Sequence, residues 1–365
     1  MLSRAKWSMI VGFFLFVLLS PAPARGFVSQ TSNESSVEAT TLNNEAVAAV
    51  EAGDFDTATQ LLRRAIVLQP DLVVAHYNLA RIYQAQGQFP RAIDAFKQSL
   101  RLNPAFTDAH HYLGIAYNTM ERYEEAITCL NRALQLNPNR ADSLSGLGFA
   151  YFMTGREQEA VERCKAAIRL KPDYPDAYNN LGVAYFKLGQ RTLAIDAFEN
   201  ARRLEPDYPD IYNNLGYAYA DSGRVNEAIA SYRKALTLKP DHTGALNNLG
   251  VAYSLVGQYR LAIEVLGQAI RLTPSNATAH YTLGYVFEQA RREKDAIHSY
   301  RQALLLNPKL AEAHLGLANI YLRRGDRASA LEQYNLLKLI DYNMSQQLFR
   351  TIYKDRILDA RQAKH

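Results

Sequence analysis

The sequence predicts an all-α protein built from one pair of helices repeated along the chain, and three observations support this prediction. Prolines recur every 34 residues, without insertions, from Pro70 to Pro308. The segment 172–190, PDYPDAYNNLGVAYFKLGQ, is largely repeated at 206–224 as PDYPDIYNNLGYAYADSGR. Leucine and tyrosine recur four residues apart, the spacing that places two side chains on one face of a helix. A fixed period of this length is typical of a solenoid of stacked units.

The first residues differ in composition from the rest of the chain. Two basic residues, Arg4 and Lys6, precede the apolar run IVGFFLFVLL at 10–19, and an Ala-Pro-Ala motif follows. This order is typical of a secretory signal peptide. We therefore predict a signal peptide over 1–24 and a flexible Ser/Thr-rich linker over 25–38.

The signal peptide predicts export, to the periplasm, the secretory pathway or the medium. The apolar run is short for a membrane span, which needs about 20 residues. Two alternatives stay open: an uncleaved membrane anchor at 10–19, and an organelle transit peptide.

We number each recurrent proline as position 32 of its repeat. The other recurring residues then fall at fixed positions. Position 7 is leucine, position 11 is tyrosine or phenylalanine, and position 20 is alanine, as in Leu181, Tyr185 and Ala194. Each repeat therefore reads as helix A, a turn near position 15 and helix B, which proline ends because it lacks an N–H. Glycine at position 8, as at Gly182, costs a helix about 1 kcal/mol relative to alanine. We therefore predict a close helix contact there, with the alanine at position 20 as partner.

The period divides the rest of the chain into nine repeats and a cap. One repeat buries too little apolar surface to offset its conformational entropy, so neighbouring repeats must share their faces. The last segment reads as an amphipathic helix, as expected of a solvent-facing cap. The predicted repeats are 39–72, 73–106, 107–140, 141–174, 175–208, 209–242, 243–276, 277–310 and 311–344, and the capping helix is 345–365.

Leu, Gly, Tyr, Ala and Pro at positions 7, 8, 11, 20 and 32 of a 34-residue repeat resemble the tetratricopeptide repeat family. The resemblance covers residues 39–344. It implies a right-handed superhelical solenoid of antiparallel helix pairs, with a concave wall formed mostly by the A helices. It also implies a protein that binds proteins or peptides and has no chemistry of its own.

Asparagine recurs at position 6, beside positions 2, 5, 9, 12 and 13, which face the groove in the family. The row resembles the asparagine ladder in the repeat domain of O-linked N-acetylglucosamine transferase, and a primary amide can both donate and accept. Two interpretations stay open: a clamp on an extended peptide backbone, or hydrogen bonds between neighbouring helices. Aromatic groove positions lie between the amides. The predicted binding residues are Asn78, Asn180, Asn214, Asn248, Tyr77, Phe149, Phe152, Phe186, Tyr217 and Tyr285.

The sequence contains no motif that indicates catalysis, phosphate binding or a metal. Histidine recurs at position 4, but leucine and tyrosine fill the same slot in other repeats, so we predict packing there. We therefore predict no catalytic residue, no metal and no cofactor. The formal charge is +5, with acids and bases interspersed and no basic block, which argues against nucleic-acid binding. Position 5 lacks the lysine with which family members clamp chaperone tails.

These observations predict a non-catalytic scaffold that holds partner proteins or extended peptides in its groove after export. No nucleic acid and no small-molecule substrate are expected, and membrane contact is expected only if the N-terminal segment stays uncleaved. The alternatives are a targeting or accessory subunit of a separate enzyme, for glycosylation or envelope assembly, and a membrane-anchored adaptor.

Overall fold

The computed structural model describes residues 30–353, with side chains from residue 34. Every regular element in this range is an α-helix, which confirms the predicted all-α fold class. The described chain divides into two compact lobes, the first ending at Leu204 and the second beginning at Glu205. The predicted signal peptide at 1–24 and the end of the predicted cap, from 354 onward, lie outside the described residues.

The described part of the N-terminal lobe consists of helix pairs. In each pair an A helix and a B helix, joined by a short turn, pack along each other, and each B helix that precedes another pair of this lobe also packs against the next A helix. The helices are α1 (Gln30–Glu51), α2 (Phe55–Leu68), α3 (Val73–Ala85), α4 (Phe89–Leu102), α5 (Thr107–Thr119), α6 (Tyr123–Leu136), α7 (Ala141–Met153), α8 (Glu157–Leu170), α9 (Pro175–Lys187) and α10 (Arg191–Leu204).

The described part of the C-terminal lobe repeats the same pairing and adds a final helix. That helix, α19, packs against both members of the last pair. The helices are α11 (Pro209–Asp221), α12 (Val225–Leu238), α13 (Thr243–Leu255), α14 (Tyr259–Leu272), α15 (Ala277–Gln289), α16 (Glu293–Leu306), α17 (Ala311–Arg323), α18 (Arg327–Ile340) and α19 (Tyr342–Ile352).

The turn between helices A and B requires a left-handed residue at position 15. Glycine fills this slot in seven repeats, with φ between 71° and 79°, as at Gly87 and Gly53. Glycine adopts this conformation without the steric penalty that a Cβ introduces. Glu121 and Arg291 occupy the same slot with φ of 59°. The packing of the helix pair therefore imposes the turn even where the residue disfavours it.

The B helices end where the proline period predicts. From α2 to α16 each ends at a leucine two residues before the recurrent proline. The next backbone N–H still donates to the carbonyl four residues back, as in Asn103 N to Ser99 O at 2.9 Å. Proline cannot continue this pattern because it has no N–H to donate.

The glycine at position 8 lies against helix B, as predicted, but its partner differs. A Cβ built on Gly182 would lie 2.6 Å from Cε1 of Phe198, and one built on Gly148 would lie 3.2 Å from the carbonyl oxygen of Ala160. Phe198 occupies position 24, one helical turn beyond the alanine at position 20. The predicted alanine partner is therefore wrong, because the longer side chain at position 24 covers the glycine and alanine contributes only its carbonyl.

Both ends of the array differ from the predicted boundaries. The predicted linker over 25–38 is helical from Gln30 onward, because α1 extends the first A helix backward. The final helix begins at Tyr342, within the predicted ninth repeat, and Leu348 and Ile352 are buried on its inner side. These two residues cover the apolar side of the last pair.

Candidate partner-binding face

Within each lobe the A helices present a side, opposite their buried leucine and tyrosine, that carries the predicted binding residues of that lobe. On α13 the buried side includes Leu249 and Tyr253, while Asn247, Val251 and Leu255 follow one another at four-residue spacing on the opposite side. Four-residue spacing keeps them on one stripe of the helix. We call this surface the A-face and define it by positions 2, 5, 6, 9, 12 and 13 of the repeats.

The predicted binding residues differ in accessibility. Tyr77 and Asn214 are each 2% exposed, and Asn78 is 0% exposed. The structure contradicts direct contact of these three with a partner, because neighbouring helices cover their side chains. Partner contact by the others stays a prediction. Those others are half-buried, and they are Phe149, Phe152, Asn180, Phe186, Tyr217, Asn248 and Tyr285.

The asparagines at position 6 connect consecutive repeats. Asn78 Nδ2 donates to Asn43 Oδ1 at 2.9 Å, and Asn180 Nδ2 donates to Ser145 Oγ at 3.2 Å. In the C-terminal lobe Asn248 Nδ2 donates to Asn213 Oδ1 at 3.0 Å. In each case position 6 donates to position 5 of the preceding repeat, 35 residues earlier. The structure therefore shows the inter-helix hydrogen bonds that were one of the two interpretations of this row.

The position 4 slot also connects repeats, through a polar contact added to the predicted packing. His76 Nε2 lies 2.9 Å from the carbonyl oxygen of Pro70, and the hydroxyl of Tyr212 donates to the carbonyl of Pro206 at 2.9 Å. Proline carbonyls at position 32 accept the same kind of bond from other histidines at position 4. Those histidines are His110, His280 and His314.

A buried polar cluster, which the sequence reasoning missed, occupies the A-face of the second to fourth repeats. Arg81, at position 9, is 2% exposed. Its guanidinium carbon lies 3.6 Å from the centroid of the Tyr112 ring, and its Nη1 donates to the Tyr77 hydroxyl at 3.0 Å. Other repeats hold apolar residues at position 9, such as Ile115 and Val183. Arg81 is the only charged residue at position 9 of the nine repeats, which is the signal that could have revealed the cluster.

His111 joins the A helices of the third and fourth repeats. Its Nδ1 lies 2.9 Å from Ser143 Oγ, and its Nε2 lies 3.3 Å from Asp142 Oδ2. The pKa of His111 is lowered to about 4, chiefly by burial; Asp142 raises the pKa, and Arg140 and Arg81 lower it. The three residue types are those of a hydrolase triad, but Ser143 is 0% exposed and presents no hydroxyl to a substrate. The geometry therefore favours a bond between repeats.

Carboxylates at position 2 of two repeats contact the last residue of the same repeat. Arg140, at position 34, forms ion pairs with Asp108 and, through Nε at 2.9 Å, with Asp142. In the C-terminal lobe His242 takes the same position, and its Nε2 lies 2.9 Å from Asp210 Oδ1. In these two repeats the contacts connect the start of the A helix to the linker that follows its own B helix.

In the N-terminal lobe the residue type at position 12 changes from one repeat to the next. Gln84 Oε1 and Asn118 Oδ1 are buried acceptors without a hydrogen-bond partner within the described residues. The Nδ2 of Asn118 donates to the carbonyl of Gly146 at 2.9 Å, which fixes the amide. The next two repeats place Phe152 and Phe186 at this position, both half-buried. The row therefore passes from amides to aromatic rings.

The C-terminal lobe has an apolar stripe on its A-face. Val251 is 37% exposed and Leu255 is 58% exposed, both on α13. Helices α11 and α15 pack on either side of α13 and carry Tyr217 and Tyr285 at the equivalent of Val251. Asn247 Oδ1, one turn before Val251, is buried without a hydrogen-bond partner within the described residues. We call Tyr217, Val251, Leu255 and Tyr285 the α13 stripe.

The A and B helices of the C-terminal lobe carry opposite charge. The four B helices carry eight basic and five acidic residues. The four A helices carry one basic residue, Arg323, which forms an ion pair with Glu288 at 2.8 Å. The A-face of this lobe is therefore acidic. The carboxylates of its A helices are Asp210, Asp221, Glu288 and Glu312.

Three further features bear on function. Among residues 30–353, no three His, Cys, Asp or Glu side chains are grouped so that they could hold a metal ion. No helix within the described chain is long and apolar enough to cross a membrane. Cys129 and Cys164 are free thiols, and burial raises the pKa of both.

Models of the tetratricopeptide repeat family match most of the chain. A TPR repeat model matches residues 48–87, 119–155, 150–189 and 256–290, and tetratricopeptide repeat models match 73–106, 179–243 and 287–348. The chain belongs to the tetratricopeptide repeat family. Proteins of this family are generally non-catalytic, and the membership supports a protein-interaction scaffold. No curated protein sequence matches the chain.

Solved structures with the same fold include three that are similar over much of their length. The APC/C hetero-tetramer Cut9–Hcn1 has a TM-score of 0.60 at 16% identity, covering 92% of this chain and 78% of that one. The type IV pilus biogenesis factor PilW has a TM-score of 0.54 at 22% identity, with 57% and 98% covered. PilF of Pseudomonas aeruginosa has a TM-score of 0.51 at 20% identity, with 58% and 96% covered. At these identities the likeness shows the fold.

Proposed function

We propose that the chain is a non-catalytic scaffold that, after export, binds partner proteins or extended peptides on its A-face. The α13 stripe supports this most directly. Aliphatic side chains as exposed as Val251 and Leu255, beside two aromatic residues, are typical of an interaction surface. In a solenoid the repeated A helices present such side chains in register along an extended partner.

The half-buried asparagines contribute to binding without giving up their contacts between repeats. Each primary amide has two N–H donors and one carbonyl acceptor. The bond from Asn180 to Ser145, or from Asn248 to Asn213, uses one donor. The remaining amide groups serve a partner backbone. The two interpretations of the row are therefore compatible at these two positions.

Photo-crosslinking in the native compartment tests the scaffold proposal. A photoreactive residue placed at Phe152 and one placed at Val251, both on the A-face, are expected to capture the same partners. Matched controls at Val67 and Leu305, which are 79% and 76% exposed on B helices, are expected to capture few of them. Equal capture from both faces, or no protein captured from the A-face, contradicts the proposal. Repeated capture of one enzyme would favour the accessory-subunit alternative.

Export rests on the N-terminal composition, which lies outside the described residues. The proposed mature chain begins near Arg25, after the Ala-Pro-Ala motif. Removal of Arg4 and Lys6 leaves the mature chain closer to neutrality. N-terminal sequencing of protein purified from its native source tests this directly. An intact Met1 on a membrane-embedded species contradicts cleavage and favours the anchored adaptor.

A further inference from the structure

We propose that the A-face of the C-terminal lobe binds an extended segment in which apolar side chains alternate with lysine or arginine. This inference rests on the proposed function and adds the chemistry of the partner. It is carried by three features of the same surface: the α13 stripe, an unpartnered acceptor, and an excess of carboxylates.

The α13 stripe supplies apolar contact at regular intervals. Val251 and Leu255 lie one helical turn apart on the exposed side of α13. The half-buried rings of Tyr217 and Tyr285 stand on the neighbouring A helices. Every second side chain of an extended segment points to the same side. Alternate apolar residues of such a segment can therefore contact the stripe, while the intervening residues lie farther from it and interact with its carboxylates through the longer-range electrostatic field.

Asn247 supplies an acceptor for the backbone of that segment. Asn247 as a whole is half-buried, unlike the fully covered Asn78 and Asn214, so a rotation of its amide can present Oδ1 to a ligand. That Oδ1 is buried and has no hydrogen-bond partner within the described residues, whereas the adjacent Asn248 amide donates to Asn213. A buried acceptor without a donor carries a desolvation penalty that a ligand N–H removes. A peptide N–H is the donor that every non-proline residue of a segment offers.

The charge of the A helices selects the sign of the intervening residues. Asp221 stands near Tyr217, and Glu312 stands near Tyr281. The pKa of each tyrosine is raised, first by burial and then by the neighbouring carboxylate. The one basic residue of these helices, Arg323, pairs with one of the four carboxylates, Glu288, and the A helices of this lobe keep a formal excess of three carboxylates. A cationic segment therefore meets a complementary field, and an acidic segment is repelled.

Peptide titrations on the purified protein test the proposal. The probes are three fluorescein-labelled peptides of equal length in which Leu alternates with Lys, Leu with Glu, or Ser with Lys. Fluorescence anisotropy is expected to give the tightest Kd for the Leu/Lys peptide and at least about tenfold weaker binding for the others. The Kd of the Leu/Lys peptide is also expected to increase with added salt. Equal binding of the Leu/Glu peptide overturns the proposal, as does no binding of the Leu/Lys peptide.

Paired variants locate the binding surface. Val251→Ser combined with Leu255→Ser is expected to weaken Leu/Lys binding by about tenfold or more, because each apolar side chain loses its burial. The matched control combines Leu305→Ser with Leu306→Ser, which removes two exposed aliphatic residues from B helix α16 and is expected to leave the Kd unchanged. Circular-dichroism melts verify that both double variants stay folded. Equal losses in the two double variants overturn the assignment to the A-face.

The titration also separates this inference from the proposed function. Photo-crosslinking that still captures partners at Phe152, together with no Leu/Lys binding, leaves the scaffold proposal standing and removes the inference. Absence of capture at every A-face position removes the scaffold proposal itself.

Discussion

The two lobes use equivalent slots of the repeat in opposite ways. In the N-terminal lobe position 9 of the second repeat holds Arg81, which is buried and bonded to Tyr77. In the C-terminal lobe position 9 of the seventh repeat holds Val251, which is 37% exposed. The long polar side chain reaches groups on neighbouring A helices, whereas the short aliphatic one stays at the surface. Val183, the same residue type at position 9 of the fifth repeat, is buried, so the neighbouring side chains decide whether an A-face slot strengthens the array or remains available to a partner.

The two kinds of A-face slot are also expected to differ in their effect on the free energy of unfolding. A buried charge or polar group needs partners, so removing one member of a cluster leaves the others unsatisfied. A substitution at an exposed position usually changes stability by less than about 0.5 kcal/mol. Substitutions in the N-terminal cluster are therefore expected to change stability, and substitutions on the α13 stripe are expected to change binding.

The largest expected effect is the pH dependence carried by His111. Its folded pKa of about 4 lies below its ordinary value, so protonation favours the unfolded chain. The stability that neutral His111 contributes is fully present above about pH 6.5 and is lost as the pH falls towards 4, by roughly 2–3 kcal/mol. Urea unfolding at pH 7 and pH 4.5 is expected to show a smaller pH dependence for His111→Gln than for the parent. An unchanged dependence would rule out a buried neutral imidazole.

A second prediction concerns the packing between helices A and B, which both lobes share. Gly182→Ala places a Cβ against the buried Phe198 ring and is expected to destabilise the chain by roughly 1–3 kcal/mol. Gly267→Ala is the matched control, since its Cβ meets only Arg271 Nη1 at 3.5 Å. It is expected to stabilise the chain by up to about 1 kcal/mol through helix propensity. Thermal melts measure the Tm of both variants. If the two substitutions shift Tm in the same direction, the proposed contact at position 8 is contradicted.

The Arg81 cluster gives the most direct stability contrast between the lobes. Arg81→Met keeps most of the side-chain volume but leaves the buried Tyr77 hydroxyl without its donor. The expected loss is roughly 1–2 kcal/mol. Val251→Ser with Leu255→Ser is expected to change the free energy of unfolding by less than about 0.5 kcal/mol. Chemical denaturation measures both, and a larger loss in the serine variant would reverse the roles assigned to the two lobes.

The smallest expected effects concern the asparagines at position 6, whose contributions to stability are expected to increase with burial. Asn78→Ala removes a fully buried bond to Asn43 and is expected to cost about 1 kcal/mol. Asn180→Ala removes a longer, half-buried bond to Ser145 and is expected to cost less. Asn180→Ala is also expected to weaken partner binding more than Asn78→Ala does. Melts and a partner titration on each variant test the order, and equal effects on both properties would contradict it.

The fold could be predicted closely from the sequence because its determinants are local. Proline ends a B helix through its own backbone, and glycine permits the left-handed turn at position 15. Glu121 and Arg291 show that the register of the array, once set, imposes the turn on other residues as well. The start of α1 at Gln30 escaped prediction because a polar helix shows no apolar period.

The candidate site could be predicted only in part. Periodicity places Tyr77 and Asn78 on the A-face but does not reveal what covers them. Their burial depends on residues of neighbouring repeats, such as Asn43 and Tyr112, which contact them only after the repeats stack. The exposure of Leu255 likewise depends on what neighbouring repeats leave uncovered. Interactions between repeats therefore decide which A-face residues remain available.

Amide hydrogen exchange of the purified protein, with and without the Leu/Lys peptide, tests the contrast between the lobes most directly. We expect slower exchange in α11, α13 and α15 when the peptide is present, and unchanged exchange in α3, α5 and α7. The Leu/Glu peptide is expected to change neither set. Protection confined to α3, α5 and α7 would contradict the account, because it would place the ligand on the cluster to which a structural role is assigned.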